Sequence, residues 1–157
     1  MKKMKKYFLL MAASALAAIP ASSTVVCSVS STGTAFGVYD TLSSSNRDVV
    51  GIISVTCTGN IGDPVNYVIA LSPGGGSFGS RTMQAGSPQL SYNLYSDGAH
   101  TAVWGDGTGG TSMVSDNYSL PASSSTRQYT IYGRIPGGQS GAVAGSYADT
   151  VVITLTY

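Results

Sequence analysis

The stretch YADTVVITLTY (Tyr147–Tyr157) decides how the rest of the sequence is read. Val151, Ile153, Leu155 and Tyr157 fall on one side of an extended chain, and Val152, Thr154 and Thr156 on the other. That is the period of two expected of a β-strand, because successive side chains point to opposite faces. β-Branched residues dominate the run, and they suit a pleated, half-buried surface better than a helix. A strand that stops at Tyr157 either pairs on both sides or leaves an edge. An apolar edge with unpaired N–H and C=O groups invites a further strand.

The same alternation recurs upstream. GIISVTCT (Gly51–Thr58) places Ile53, Val55 and Cys57 on one face, and VNYVIALS (Val65–Ser72) does so with Val65, Tyr67, Ile69 and Leu71. LSYNLYS (Leu90–Ser96) aligns Leu90, Tyr92 and Leu94, while YTIYGRI (Tyr129–Ile135) aligns Tyr129, Ile131 and Ile135 with Gly133 between them. Turn-forming clusters such as GNIGDP, SPGGGSFGS, SDGAH, GDGTGG, PASSS and IPGGQSGAVAG separate these runs. Short strands at this spacing predict an all-β antiparallel sandwich. No internal repeat is evident, and the Gly-rich stretch after Ser72 reads as a loop, not a domain linker.

The opening residues MKKMKKYFLLMAASALAAIPASS (Met1–Ser23) have a different character: four lysines, an apolar run and then small residues. They predict a secretory signal peptide over residues 1–21, cleaved after Ala21 or Ser23, followed by a single domain over 22–157. The apolar run is shorter than the roughly 20 residues that span a bilayer, so no stable membrane insertion is expected. All four lysines leave with the signal peptide. Arg47, Arg81, Arg127 and Arg134 then face seven aspartates with no glutamate, so a whole-chain charge of +1 becomes −3. No basic patch remains to hold phosphates, which argues against nucleic-acid binding. Cys27 and Cys57 are the only cysteines, and in an exported chain a disulfide is the default. Two cysteines and one distant histidine are too few for a metal site, so no metal or other cofactor is expected.

The stretch LSYNLYSDGAHTAVWGDGTGG (Leu90–Gly110) holds the only His, His100, and the only Trp, Trp104, beside Asp97 and Asp106. A hydrolytic triad needs a nucleophile beside the histidine, and no Gly-x-Ser-x-Gly elbow occurs in the chain. A phosphate loop needs a Lys and a following helix, and a calcium loop needs several carboxylates at fixed spacing. Neither pattern is present around Asp106. Asp97-Gly98 and Asp106-Gly107 read instead as turns, with glycine supplying positive φ. Trp104 is expected to pack at the end of the sandwich. No catalytic residue is assigned, and replacing His100 by Ala is expected to leave stability and assembly unchanged. Exposed tyrosines among Tyr92, Tyr95, Tyr118, Tyr129, Tyr132 and Tyr147 keep open an alternative, a self-folding adhesive or carbohydrate-binding module. The NYS triplet at Asn117 is a chance sequon.

Six separated motifs occur in order: AFGVYD (Ala35–Asp40), ISVTCTG (Ile53–Gly59), RTM (Arg81–Met83), the stretch Leu90–Gly110, YTIYGRIPGGQ (Tyr129–Gln139) and AGSYADTVVITLTY (Ala144–Tyr157). Together they resemble the spore coat protein U domain family, which includes subunits of archaic chaperone–usher pili. The resemblance implies an incomplete immunoglobulin-like β-sandwich of pilin type, lacking its final strand. By the same resemblance, a periplasmic chaperone would fill the vacant groove first, and the N-terminal extension of a neighbouring pilus or coat subunit would fill it after passage through an outer-membrane usher. It also implies a Cys27–Cys57 pairing that ties the first strand to the second. Val151, Ile153, Leu155 and Tyr157 would line the strand-accepting groove. The expected location is the periplasm and then the cell surface, or the secreted fraction, with a role in adhesion or biofilm formation. One departure stands out. Ahead of Cys27 only SSTVV remains after cleavage, with Val25 and Val26 as its apolar residues. Such a donor stub is too short to fill a groove of four or five pockets, so the chain is expected to accept a strand better than it donates one.

Overall fold

In the computed structural model of the chain, residues 24–157 are described; the expected signal peptide and its cleavage points lie outside them. Among the described residues eight strands make up the regular structure: β1 (Val26–Ser31), β2 (Arg47–Thr58), β3 (Pro64–Leu71), β4 (Arg81–Gln84), β5 (Gln89–Tyr95), β6 (Val114–Ser119), β7 (Ser124–Ile135) and β8 (Ile153–Thr156). They form a five-stranded sheet in the order β1-β2-β7-β5-β4 and a three-stranded sheet in the order β6-β3-β8. Every strand pairing is antiparallel.

The alternation read from the sequence is the burial pattern of the sandwich. Ile53, Val55 and Cys57 of β2 are fully buried, as are Val65, Tyr67, Ile69 and Leu71 of β3. Leu90, Tyr92 and Leu94 of β5 and Ile131 and Ile135 of β7 lie on the same inner face as the β2 residues, opposite β3. The inner faces of two twisted sheets interdigitate, and each strand gives its apolar side to that layer. Cys27 of β1 stands opposite Cys57 of β2 in the register, and the two are joined in a disulfide. The first strand is thus tied to the second.

Two polar arrangements hold the layers together. Tyr67 of β3 and Tyr129 of β7 share a hydrogen bond between their hydroxyls, and the Tyr129 hydroxyl also donates to Asp116 of β6. Arg127 completes this bridge between the sheets by pairing with Asp116 at 2.9 Å while its guanidinium lies 3.9 Å over the Tyr118 ring. The second is Arg81, fully buried at the start of β4. It donates to the Asn93 side chain at 2.6 Å and to the carbonyls of Trp104 at 2.7 Å and Ser72 at 3.0 Å. Burial lowers its pKa from the usual arginine value.

The stretch around His100 is structural, though its geometry differs from the expectation. Asp97 caps the turn by accepting from the backbone N–H of Ala102 at 2.7 Å and of Thr101 at 3.0 Å. The positive φ there belongs to His100, at 58°, and not to Gly98; Gly107 has the expected positive value of 84°. The two residues after Asp97 make an ordinary turn closed by the His100 N–H on the Asp97 carbonyl, which pushes the left-handed position one step downstream. The His100 ring then packs edge-on between Tyr95 and Tyr132, with its side chain only 8% exposed. Replacement by Ala therefore removes packing, against the expectation of no effect on stability. Trp104 is fully buried, and its indole N–H donates to the Ile69 carbonyl at 3.0 Å.

Candidate functional site

β8 lies at the end of the three-stranded sheet and pairs only with β3, from Leu71↔Ile153 to Val68↔Thr156. Where the chain enters β8, Val151 and Ile153 border a cleft of about 1080 Å³. The floor is the apolar inner face already described: Leu71, Leu90, Tyr92, Leu94, Ile131 and Ile135. One wall is the chain that leaves β1, from Gly33 to Thr41, and the other is the segment from Ala142 to Val151 together with Ile153. A backbone edge beside an apolar trough is what an incoming strand requires: hydrogen bonds along the edge and pockets for alternate side chains.

The stretch Tyr147–Tyr157 divides its loyalties between the two sheets, and this shortens the expected strand. Ala148 exchanges both backbone hydrogen bonds with Gln84 of β4, at the edge of the five-stranded sheet. The chain then crosses to β3, where Val152 accepts from the Ser72 N–H at 2.9 Å before β8 begins. Asp149 anchors the crossing. Its carboxylate accepts from the Tyr92 hydroxyl at 2.6 Å and from the Gly75 N–H at 2.9 Å. Burial and this carboxylate raise the Tyr92 pKa far above that of a free phenol, so Tyr92 keeps its proton and holds the contact.

The residues expected in the groove are not all brought to it. Val151 and Ile153 line the cleft. Leu155 is half-buried against the core but does not reach the cleft, and Tyr157 is 59% exposed beside Asn66 and Asn117 on a separate shallow depression. The reason is geometric: β1 comes within 8 Å of β8 at Cα level, and the open space lies where the chain approaches and enters β8. The donor-stub residues are engaged as well. Val25 packs against the core, and Val26 opens β1 opposite Thr58.

Residues that alternation did not assign to the site are Phe36, Met83 and Asp149. Phe36 is buried and meets Tyr92 edge-to-face with ring centroids 5.7 Å apart. In AFGVYD, Phe36 stands between an alanine and a glycine with Tyr39 three residues on, a local hint that this loop turns aromatic side chains inward. Among the described residues no three His, Cys, Asp or Glu side chains gather as a metal site would require, and no helix is long and apolar enough to cross a membrane.

Comparison with known proteins now has a geometry to meet. Among solved structures, a chain of the CsuC–CsuE chaperone–tip adhesion subunit pre-assembly complex, from the archaic chaperone–usher Csu pili of Acinetobacter baumannii, is similar in fold. The TM-score is 0.57 at 19% identity, over 85% of this chain and 40% of that one, so this chain spans well under half of its solved neighbour. Comparison with curated proteins returns no match. The likeness in fold agrees with an incomplete immunoglobulin-like sandwich. The family model for the Spore Coat Protein U domain matches residues 12–154. With its motifs, its two antiparallel sheets and a match of that extent, the chain belongs to the spore coat protein U domain family.

Proposed function

We propose that the mature chain is a structural, non-enzymatic subunit of a surface pilus or coat that is completed by a strand from another polypeptide. The observation that carries this reading is the apolar cleft at the entry to β8, the edge strand of the three-stranded sheet. In the periplasm a chaperone strand occupies the cleft; an outer-membrane usher then exchanges it for the strand of a neighbouring subunit, and the product supports adhesion or biofilm formation. Family membership supports the assembly route, and the complex containing the similar fold is itself a chaperone–subunit pair. An alternating strand that buries four or five apolar side chains contributes on the order of 10 kcal/mol of hydrophobic free energy before entropy is subtracted. That is comparable to the entire stability of a domain, so the uncomplemented chain is expected to be unstable.

A non-enzymatic role is supported by the packed setting of His100, whose ring meets those of Tyr95 and Tyr132 with Nε2 3.9 Å from Asp48. Both cysteines are committed to the disulfide. The packing of Val25 against the chain's own core, and the pairing of Val26 with Thr58 in β1–β2, support a subunit that accepts a strand without donating one. A terminal place on a fibre, or a coat component not threaded into a fibre, suits such a chain.

The test is expression of the mature chain, from Ser22 onward, in a periplasm without the chaperone. Degradation or aggregation is expected, with rescue by a co-expressed chaperone or by an added alternating apolar peptide. A soluble, protease-resistant monomer obtained without either would overturn the proposal and favour the self-folding adhesive or carbohydrate-binding module.

A further inference from the structure

Two glycines interrupt the inner face of the five-stranded sheet where alternation calls for apolar side chains: Gly51 on β2 and Gly133 on β7. The chain's own loop after β1 takes the room they leave. A Cβ on Gly51 would lie 2.3 Å from the Gly33 carbonyl oxygen, and one on Gly133 would lie 2.9 Å from Phe36 Cζ. Real side chains do not approach so closely, so both positions are small because this segment lies across them. The Phe36 carbonyl accepts from Arg47 Nε at 2.9 Å, which fixes the backbone from which the ring projects. Phe36 is 7% exposed while Ala35, Gly37 and Val38 around it are exposed, so its ring points from a largely solvated loop into the sandwich, deeper than the partly buried Tyr39. That ring lines the cleft beside Tyr92 and Ile135.

We propose that Phe36 sets the side-chain size accepted at one position of the cleft: an entering strand presents a small residue where it faces this ring. The inference rests on the strand-accepting reading above. Its physical basis is close packing. The volume freed by two missing side chains is already filled from within, and a second large group at the same place would force overpacking. Phe36 would then act as a specificity-determining residue, setting which position of an alternating strand must be small and hence the register in which the strand seats.

The experiment uses the mature protein refolded in the presence of synthetic peptides of about ten residues that alternate Val and Thr, since the uncomplemented chain is expected to be unstable. Each inward Val is replaced in turn by Ala or by Phe, and binding is read by competition against a fluorescent parent peptide. For the wild type, one position is expected to favour Ala over Phe. In Phe36→Ala that preference should reverse by roughly tenfold or more, the scale at which a hydrophobic pocket discriminates size. Phe36→Leu should shift it in the same direction by less, and this milder variant decides the matter if the alanine variant does not fold. Identical preferences in the wild type and the variants at every position would overturn the size rule alone. So would a uniform loosening at all positions. Failure of the wild type to bind any peptide would overturn the strand-accepting reading itself, and the size rule with it.

Discussion

Asp116 shows how single residues tie this sandwich together. It projects from β6, accepts from Tyr129 of the opposite sheet and pairs with Arg127 at 2.9 Å. Burial pushes its pKa up, but the hydrogen bonds from Tyr129, the Asn117 N–H and Arg127 outweigh that effect and hold it below its ordinary value of 3.8. Asp48 is depressed in the same direction, chiefly by its hydrogen bonds with Arg134. A carboxylate depressed on folding contributes stability that is complete above its unfolded pKa and disappears as the pH falls through the folded one. The free energy of unfolding is therefore expected to be level above about pH 5 and to drop steadily below about pH 4. Tyr129→Phe removes a donor to Asp116, so acid unfolding of this variant should begin at a higher pH. Denaturant melts across the acid range check this. An unchanged acid profile in the variant would mean that the hydroxyl does not support the carboxylate.

At the scale of elements, the disulfide carries the clearest consequence. Cys27 and Cys57 close a loop with a sequence separation of 30 and hold β1 against β2. The chain that leaves β1 forms one wall of the cleft, so the bond also steadies the site. In the chain-entropy model, closing a loop of this size contributes about 3–4 kcal/mol. Cys57→Ser is expected to lose about that much stability and to lower the periplasmic yield through proteolysis. Urea melts of the peptide-complemented protein and immunoblots of periplasmic fractions measure the two effects. β8 carries the opposite lesson. Alternation announced a strand across Tyr147–Tyr157, yet Ala148 bonds to β4 and only Ile153–Thr156 pair with β3. Period two is a local property and is blind to a change of partner midway along a run.

At the scale of the whole molecule, one end of the sandwich is closed and the other is open. Val25, Val29 and Leu155 pack against the core where β1 approaches β8. Since the chain's own first residues help to close that region, self-assembly would require them to leave one core in order to enter another. Purified mature protein freed of its chaperone is therefore expected not to form end-to-end polymers through its own N-terminus. Size-exclusion chromatography with light scattering should show no ladder of regular multiples, while an added alternating peptide should give a stable monomer. A regular ladder abolished by Val25→Asp with Val26→Asp would contradict the strand-accepting assignment of this chain.

The sequence by itself determined the presence of β2, β3, β5, β7 and β8, though not of β1, β4 and β6, together with the inward residues of β2, β3, β5 and β7, the disulfide and the family. All of these follow from local period, from counting two cysteines in a chain expected to be exported, or from motifs in order along it. Only the tertiary structure decided the limits of the cleft. Val151 and Ile153 reach it, whereas Leu155 and Tyr157 do not, although all four share one side of the same run. Phe36, Arg81 and Asp149 owe their places to partners far along the chain, among them Tyr92, Trp104 and Gly75. Alternation states which way a side chain points relative to its own strand. It carries no information about which distant segment stands opposite, and a cleft is made of distant segments.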